Sequence, residues 1–148
     1  MKNILIIDHS SSMHDYNESL YPQFSRFDGI KLYSLTKRKL SNVTLIPLKF
    51  SLITLIYYFI KIVTLAKKKQ ITIVHWQWVQ VFFIGILLNK IFKLMGIKII
   101  YTVHNTTPFH SQSSVKIFLQ KIGFWYFLRS CDQLIVHNEY SFEVLQGN

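Results

Sequence analysis

Four short clusters of polar and aromatic residues carry the chemistry this sequence can offer. They are Asp8–His9–Ser10–Ser11, His75–Trp76–Gln77–Trp78, His104–Asn105–Thr106 and His137–Asn138–Glu139. Each follows a short apolar run of the kind that forms a buried strand. In a parallel sheet all four clusters would line one edge, outside the carboxyl ends of the strands, where α/β sheets bind ligands. Four histidines on one edge are more than scatter would place there. Their spacing argues against a metal. Zinc histidines come at helical or turn spacing with a cysteine or carboxylate beside them, whereas these come one per strand.

Other chemistries fall away on motif grounds. The sequence holds no G-x-x-x-x-G-K-[ST] phosphate loop and no G-x-G-x-x-G after its first strand. A phosphorelay receiver would end a central strand in Asp, where this chain has His75 or His104. The G-x-S-x-G elbow of α/β-hydrolases is missing as well.

The elements that must position these clusters can be read from periodicity. Ile4–Ile7, Ile30–Leu35, Val43–Ile46, Ile71–His75, Ile97–Val103 and Leu134–Val136 read as strands. An irregular helix has room between Asp15 and Phe27. Leu48–Lys69 is a long helix, with Thr54, Tyr57, Tyr58, Lys61, Thr64 and Lys68 as its polar stripe and Leu52, Ile56, Phe59, Ile60 and Val63 opposite. Its uncharged stretch, Phe50–Ile60, is much shorter than the roughly 20 residues a bilayer span needs. Val79–Met95 is a second helix, closed by Gly96 as C-cap. Val115–Ser130 is a third, with Lys116, Gln120, Gly123 and Ser130 on its polar side, and a last helix begins at Glu139. Apolar strands alternating with amphipathic helices predict a doubly wound, Rossmann-like α/β domain with helices on both faces of a parallel sheet.

Size and composition agree. The 148 residues suffice for one domain with a core. Half the residues are hydrophobic and 16% charged, which excludes a disordered tail. The net charge of +10 comes mostly from lysine, with Arg26, Arg38 and Arg129 the only arginines. Lysines make a general field for anionic surfaces but lack the fork that reads phosphates and bases, so anionic lipid ranks ahead of nucleic acid. Coding bias toward lysine and isoleucine is the bland alternative. Cys131 is the only cysteine, and the short apolar run after Lys2 ends at Asp8, so the expectation is a cytoplasmic protein without disulfide or signal peptide.

The segments IVHWQW, KIIYTVHNTTPFH and CDQLIVHNEYS resemble, in order and spacing, the N-terminal domain of GT-B glycosyltransferases. The resemblance is to the retaining group that contains bacterial mannosyl- and glucosyltransferases of surface polysaccharides. It covers roughly Ile71–Tyr140, with the first strand compatible. It implies a cleft between two Rossmann-like domains, the N-terminal one holding the acceptor and the C-terminal one the nucleotide sugar. On that likeness His104 matches the histidine facing the transferred sugar, where an imidazole can bond hydroxyls and steady developing charge. Asn105 shapes the turn or touches sugar. Trp76 and Trp78, flanking Gln77, can stack on a sugar ring, unless one of them packs under the loop as core. His75 reads as a structural strand-end residue. His137 and Glu139 can line the cleft, unless Asn138 is simply the N-cap of the last helix. His9 and Ser10 stand where many relatives have a glycine-rich loop near the donor phosphates, and those glycines are missing here.

The same likeness suggests a lipid-linked or polysaccharide acceptor and a peripheral position at the inner face of the membrane. Phe82, Ile86, Lys90 and Lys93 would make the contact, the competing reading being that Phe82 packs on a neighbouring helix. No cofactor is implied beyond the nucleotide sugar as co-substrate. Residues 1–148 would be the acceptor-side domain alone, since the basic residues for a diphosphate and the paired glutamates of a donor domain do not occur. Asp8, Asp15, Asp28 and Asp132 are too scattered to hold a metal-bound sugar nucleotide. Three classes remain: an incomplete transferase inactive by itself, the acceptor subunit of a split transferase with a separate donor-binding subunit, and a non-catalytic basic module on anionic lipid.

Overall fold

The computed structural model describes residues 2–8, 19, 23, 30–35, 44–45, 52–79, 81–104 and 114–146. Within them are strands β1 (Lys2–Asp8), β2 (Ile30–Leu35), β3 (Thr44–Leu45), β4 (Ile73–Trp78), β5 (Lys98–Val103) and β6 (Gln133–Val136). The helices are α1 (Leu52–Lys68), α2 (Phe82–Leu94), α3 (Ser114–Ser130) and α4 (Glu139–Gln146). The expected turn at Lys37–Lys39 and the helix between Asp15 and Phe27 lie outside the described residues.

All strand pairs are parallel, in the order β3-β2-β1-β4-β5-β6. The chain therefore winds outward in one direction through β2 and β3, then returns past β1 to build β4, β5 and β6. The switch falls between β1 and β4, the position where open α/β sheets bind ligands. This is a doubly wound, Rossmann-like α/β fold.

Side chains alternate across the sheet. Leu5 and Ile7 of β1, Val74 and Trp76 of β4, and Ile99, Tyr101 and Val103 of β5 join one core with Ile62 and Ala66 of α1, Leu88 and Phe92 of α2, and Phe124, Phe127 and Leu128 of α3. On the opposite face Ile6, His75, Gln77 and Thr102 are also buried. Both faces are covered.

Three details depart from periodicity. The fourth strand runs on through Trp78, so Trp76 and Gln77 are strand residues and not part of the following loop. In α1, Ile60 is 59% exposed while Ile62 and Ala66 are buried. Apolar residues extend beyond the inward face of this helix, so the pattern left the edges of the buried face open. In α3, Gly123 and Ser130 turn inward against α2, because apolar residues are spread almost evenly about this helix and define no face.

Close helix packing depends on Gly85 of α2, where a Cβ would lie 2.6 Å from the Phe127 ring of α3. The end of α2 follows the expected cap. Gly96 adopts φ +73°, its amide bonds the Lys93 carbonyl, and the Ile97 amide bonds that of Phe92. This is the Schellman arrangement, which a residue with a Cβ would strain.

Candidate functional site at the strand ends

Parallel pairing brings the end of β4 beside β5, and β5 beside β6, so that five side chains from these three strands and their ends meet in one row. Thr102 Oγ1 lies 2.8 Å from His75 Nε2, and His75 Nε2 lies 3.3 Å from the Gln77 amide nitrogen. The Gln77 amide oxygen accepts from His104 Nε2 at 3.1 Å. His104 Nδ1 is then 3.2 Å from Nε2 of His137, which follows β6. The row runs from a buried hydroxyl to an exposed imidazole.

Its three inner members are buried and its two outer ones are not. Thr102 and Gln77 are each 1% exposed, His75 8%, His104 is half-buried, and His137 is open to solvent. Desolvation, reinforced by the nearby His104 charge, pushes the His75 pKa down to about 4. His104 is also held below the ordinary histidine range, first by burial and then by His137, with its bond to Gln77 a partial offset. Both rings are neutral at physiological pH, suited to hydrogen bonding and not to permanent positive charge. Trp78 tilts against His104 at 6.1 Å between ring centres, and His137 at 4.9 Å, so aromatic surfaces flank the histidine on two sides.

The remaining expected residues fall elsewhere. Trp76 has no exposed surface: its indole N–H donates to Asn89 Oδ1 at 2.8 Å, and its ring meets Phe127 edge-on. It is the core member of the tryptophan pair, on the face of β4 that also buries Val74. Gln77 is nearly as enclosed, and its amide oxygen accepts from His104. Asn138 caps α4, its Oδ1 accepting from the Ser141 amide at 2.7 Å, and Glu139 stands exposed in the first turn of that helix. Asp8 ends β1 at the switch, buried and in register with Trp78. His9, Ser10 and Asn105 lie outside the described residues.

The expected membrane set needs correction. Phe82 packs against Phe124 and Phe127, with ring centres at 5.5 and 5.8 Å, and Lys93 is ion-paired with Asp132 at 3.1 Å. Ile86 is half-buried, and Lys90 and Lys93 are open to solvent. The exposed apolar residues of α2 beside Lys90 are Phe83, Leu87 and Leu94, each one position on from the expected ones. Beside it, α3 exposes Phe118, Leu119 and Tyr126, and a depression of about 420 Å³ is lined by Phe118, Lys121, Ile122, Trp125, Tyr126 and Arg129. None of the strand-end side chains lines this depression. Among the described residues no helix is long and apolar enough to cross a membrane.

Two polar residues were missed in the sequence. Thr102 stands two positions before His104, as His75 does before Gln77, so a period-2 reading of β4 and β5 would have placed all four on one face. Asn89 is fully buried inside an apolar helix and also donates to Ser130 Oγ at 2.7 Å. Its only signal was a lone amide amid hydrophobic residues.

A family profile for Glycosyltransferase Family 4 matches residues 21–148. The chain belongs to this family, and its fold is that of a GT-B glycosyltransferase N-terminal domain. No curated protein sequence matches it. Among solved structures it is similar to S. aureus MnaA in its co-structure with UDP, with a TM-score of 0.70 at 10% identity, covering 99% of this chain and 40% of that one. Acinetobacter baumannii MurG gives a TM-score of 0.66 at 9% identity, over 96% and 43% of the two chains. The UDP-GlcNAc 2-epimerase of Methanocaldococcus jannaschii gives 0.62 at 10%, over 99% and 42%. These likenesses show the fold. This chain spans less than half the length of each of those proteins.

Proposed function

We propose that this chain is the acceptor-side part of a glycosyltransferase that moves a sugar from a nucleotide sugar to a polysaccharide or lipid-linked acceptor. The finer resemblance is to retaining mannosyl- and glucosyltransferases. The observation that carries the reading is the placement of His104. It stands at the carboxyl edge of β5, half-buried between Trp78 and His137, near the β1/β4 switch of a family 4 fold. A neutral imidazole there can bond a sugar hydroxyl, while Trp78 offers a ring face for stacking. His137 and Glu139, exposed at the same edge, are the outer contacts. Residues 1–148 by themselves are not expected to turn over, because donor binding falls to a second domain, fused or supplied by a separate subunit.

A membrane-apposed position is favoured by an independent observation. Helices α1, α2 and α3 contain no Asp or Glu, yet carry Lys61, Lys67, Lys68, Lys90, Lys93, Lys121 and Arg129. All three pack on the same face of the sheet, and α2 and α3 expose Phe83, Leu87, Phe118 and Tyr126 outward. Cations interleaved with aromatic and aliphatic side chains suit an anionic lipid surface carrying the acceptor.

The test pairs this chain with a donor-binding domain encoded at its own locus and follows labelled sugar from nucleotide donors into membrane-extracted acceptors. Transfer is expected only when both parts are present. His104→Ala should lower it by about 100-fold or more, the usual effect of removing one group that bonds developing charge. Transfer by this chain alone, or full transfer by the variant, would overturn the assignment.

A further inference from the structure

A primary amide presents a donating nitrogen and an accepting oxygen. An amide lying between two imidazole Nε2 atoms therefore requires one of them to be protonated and the other not. Gln77 lies between two such atoms, its nitrogen toward His75 Nε2 and its oxygen toward His104 Nε2. At 1% exposure it is closed off from bulk solvent, which would otherwise compete for both ends. On the His75 side the Thr102 hydroxyl adds a second donor to the same nitrogen, so that ring carries its proton on Nδ1. On the other side His104 must carry hydrogen on Nε2, which leaves Nδ1 of the neutral ring as a lone pair. That nitrogen accepts from His137, whose Nε2 then holds the hydrogen.

We propose that Gln77 is a positioning residue that locks His104 as the Nε2–H tautomer, so that its Nδ1 serves as a hydrogen-bond acceptor on the side of His137. The consequence rests on the transferase reading above and sharpens it. An accepting nitrogen pairs with groups that donate, namely carbohydrate hydroxyls, and discriminates against carbonyl and phosphate oxygens. His137, exposed and donating to the same nitrogen, occupies the place an incoming hydroxyl takes. His75 contributes without touching ligand: burial keeps it neutral, and it holds the far end of the amide in one orientation.

The experiment is a ring nitrogen–hydrogen correlation spectrum of the full 15N-labelled chain without ligand at pH 7.5. The expected result is opposite neutral tautomers: hydrogen on Nε2 of His104 and on Nδ1 of His75. In Gln77→Glu the carboxylate only accepts, so His75 should reverse its tautomer and its pKa should rise by roughly one unit or more. Gln77→Met removes both partners, and His104 should then show a mixture of tautomers, with thermal melting recorded in parallel to establish that the variant is folded. The same neutral tautomer on both rings of the native chain would overturn the proposal. So would an unchanged His104 spectrum in folded Gln77→Met. The native spectrum tests the pairing even if a variant fails to fold. No donor or acceptor is needed, so a failed transfer assay leaves the tautomer lock standing, and a failed lock leaves the transferase reading standing.

Discussion

His75 shows how a residue can be central to a site and face no ligand. Its pKa falls from the ordinary 6.5 to about 4 in the folded chain, whereas the unfolded chain takes the proton near the ordinary value. Between those limits the unfolded state binds more protons, so stability rises with pH across the window. The full contribution is present above about pH 6.5 and is lost as pH falls toward 4, a difference on the order of 3 kcal/mol. Urea unfolding between pH 7 and pH 4.5 should show this slope, and His75→Gln should flatten it. An equal slope in both proteins would mean that His75 is not the group responsible. In the sequence, His75 was legible as a strand residue and His104 as the histidine of interest. The link through Gln77 was not, because the residues that β4 and β5 bring together are far apart in the chain.

The helices raise a different issue, since their existence was plain and their rotation was not. Strand and helix positions agreed with the apolar runs to within a few residues, and Gly96 marked the end of α2 through its own conformational freedom. Gly85 was silent. It sits beneath Phe127, whose ring is boxed in by Trp76, Tyr101 and Phe82 and cannot swing aside. Gly85→Ala would gain up to about 1 kcal/mol of helix propensity, but overpacking of this kind costs about 1–3 kcal/mol. The expected outcome is a lower melting temperature, by roughly 2–4 °C for each kcal/mol in a domain of this size. A melting temperature raised by the substitution would show that α2 and α3 have room to separate. The misplacement of Phe82 has the same origin: in a helix that is apolar all round, only the neighbour it packs on decides which phenylalanine is inside.

For the molecule as a whole, charge asymmetry is the dominant feature. The acid-free layer of α1, α2 and α3 should bind vesicles of anionic phospholipid, weaken as salt screens the field, and ignore neutral vesicles. At about 1 kcal/mol per cation, replacing Lys90, Lys121 and Arg129 together by Gln should weaken binding roughly 100-fold. Cosedimentation measures this directly. Equal binding to neutral vesicles, or a triple variant that binds like the parent, would remove this face from consideration. The excess of lysine was visible in composition, but its concentration on one layer required knowing that three separate helices share a face of the sheet.

The sequence by itself determined the order and type of the elements, the parallel α/β class and the strand-end location of the polar clusters. These depend on local periodicity, glycine geometry and the length of apolar runs, all of which act along the chain. The tertiary structure alone decided which tryptophan is core, which face of each helix is buried, and that Thr102, His75, Gln77, His104 and His137 form one hydrogen-bonded row. Each of those outcomes depends on sheet register and helix packing. A single step of register or a partial turn of a helix exchanges inside for outside, and only contacts between distant segments choose between them.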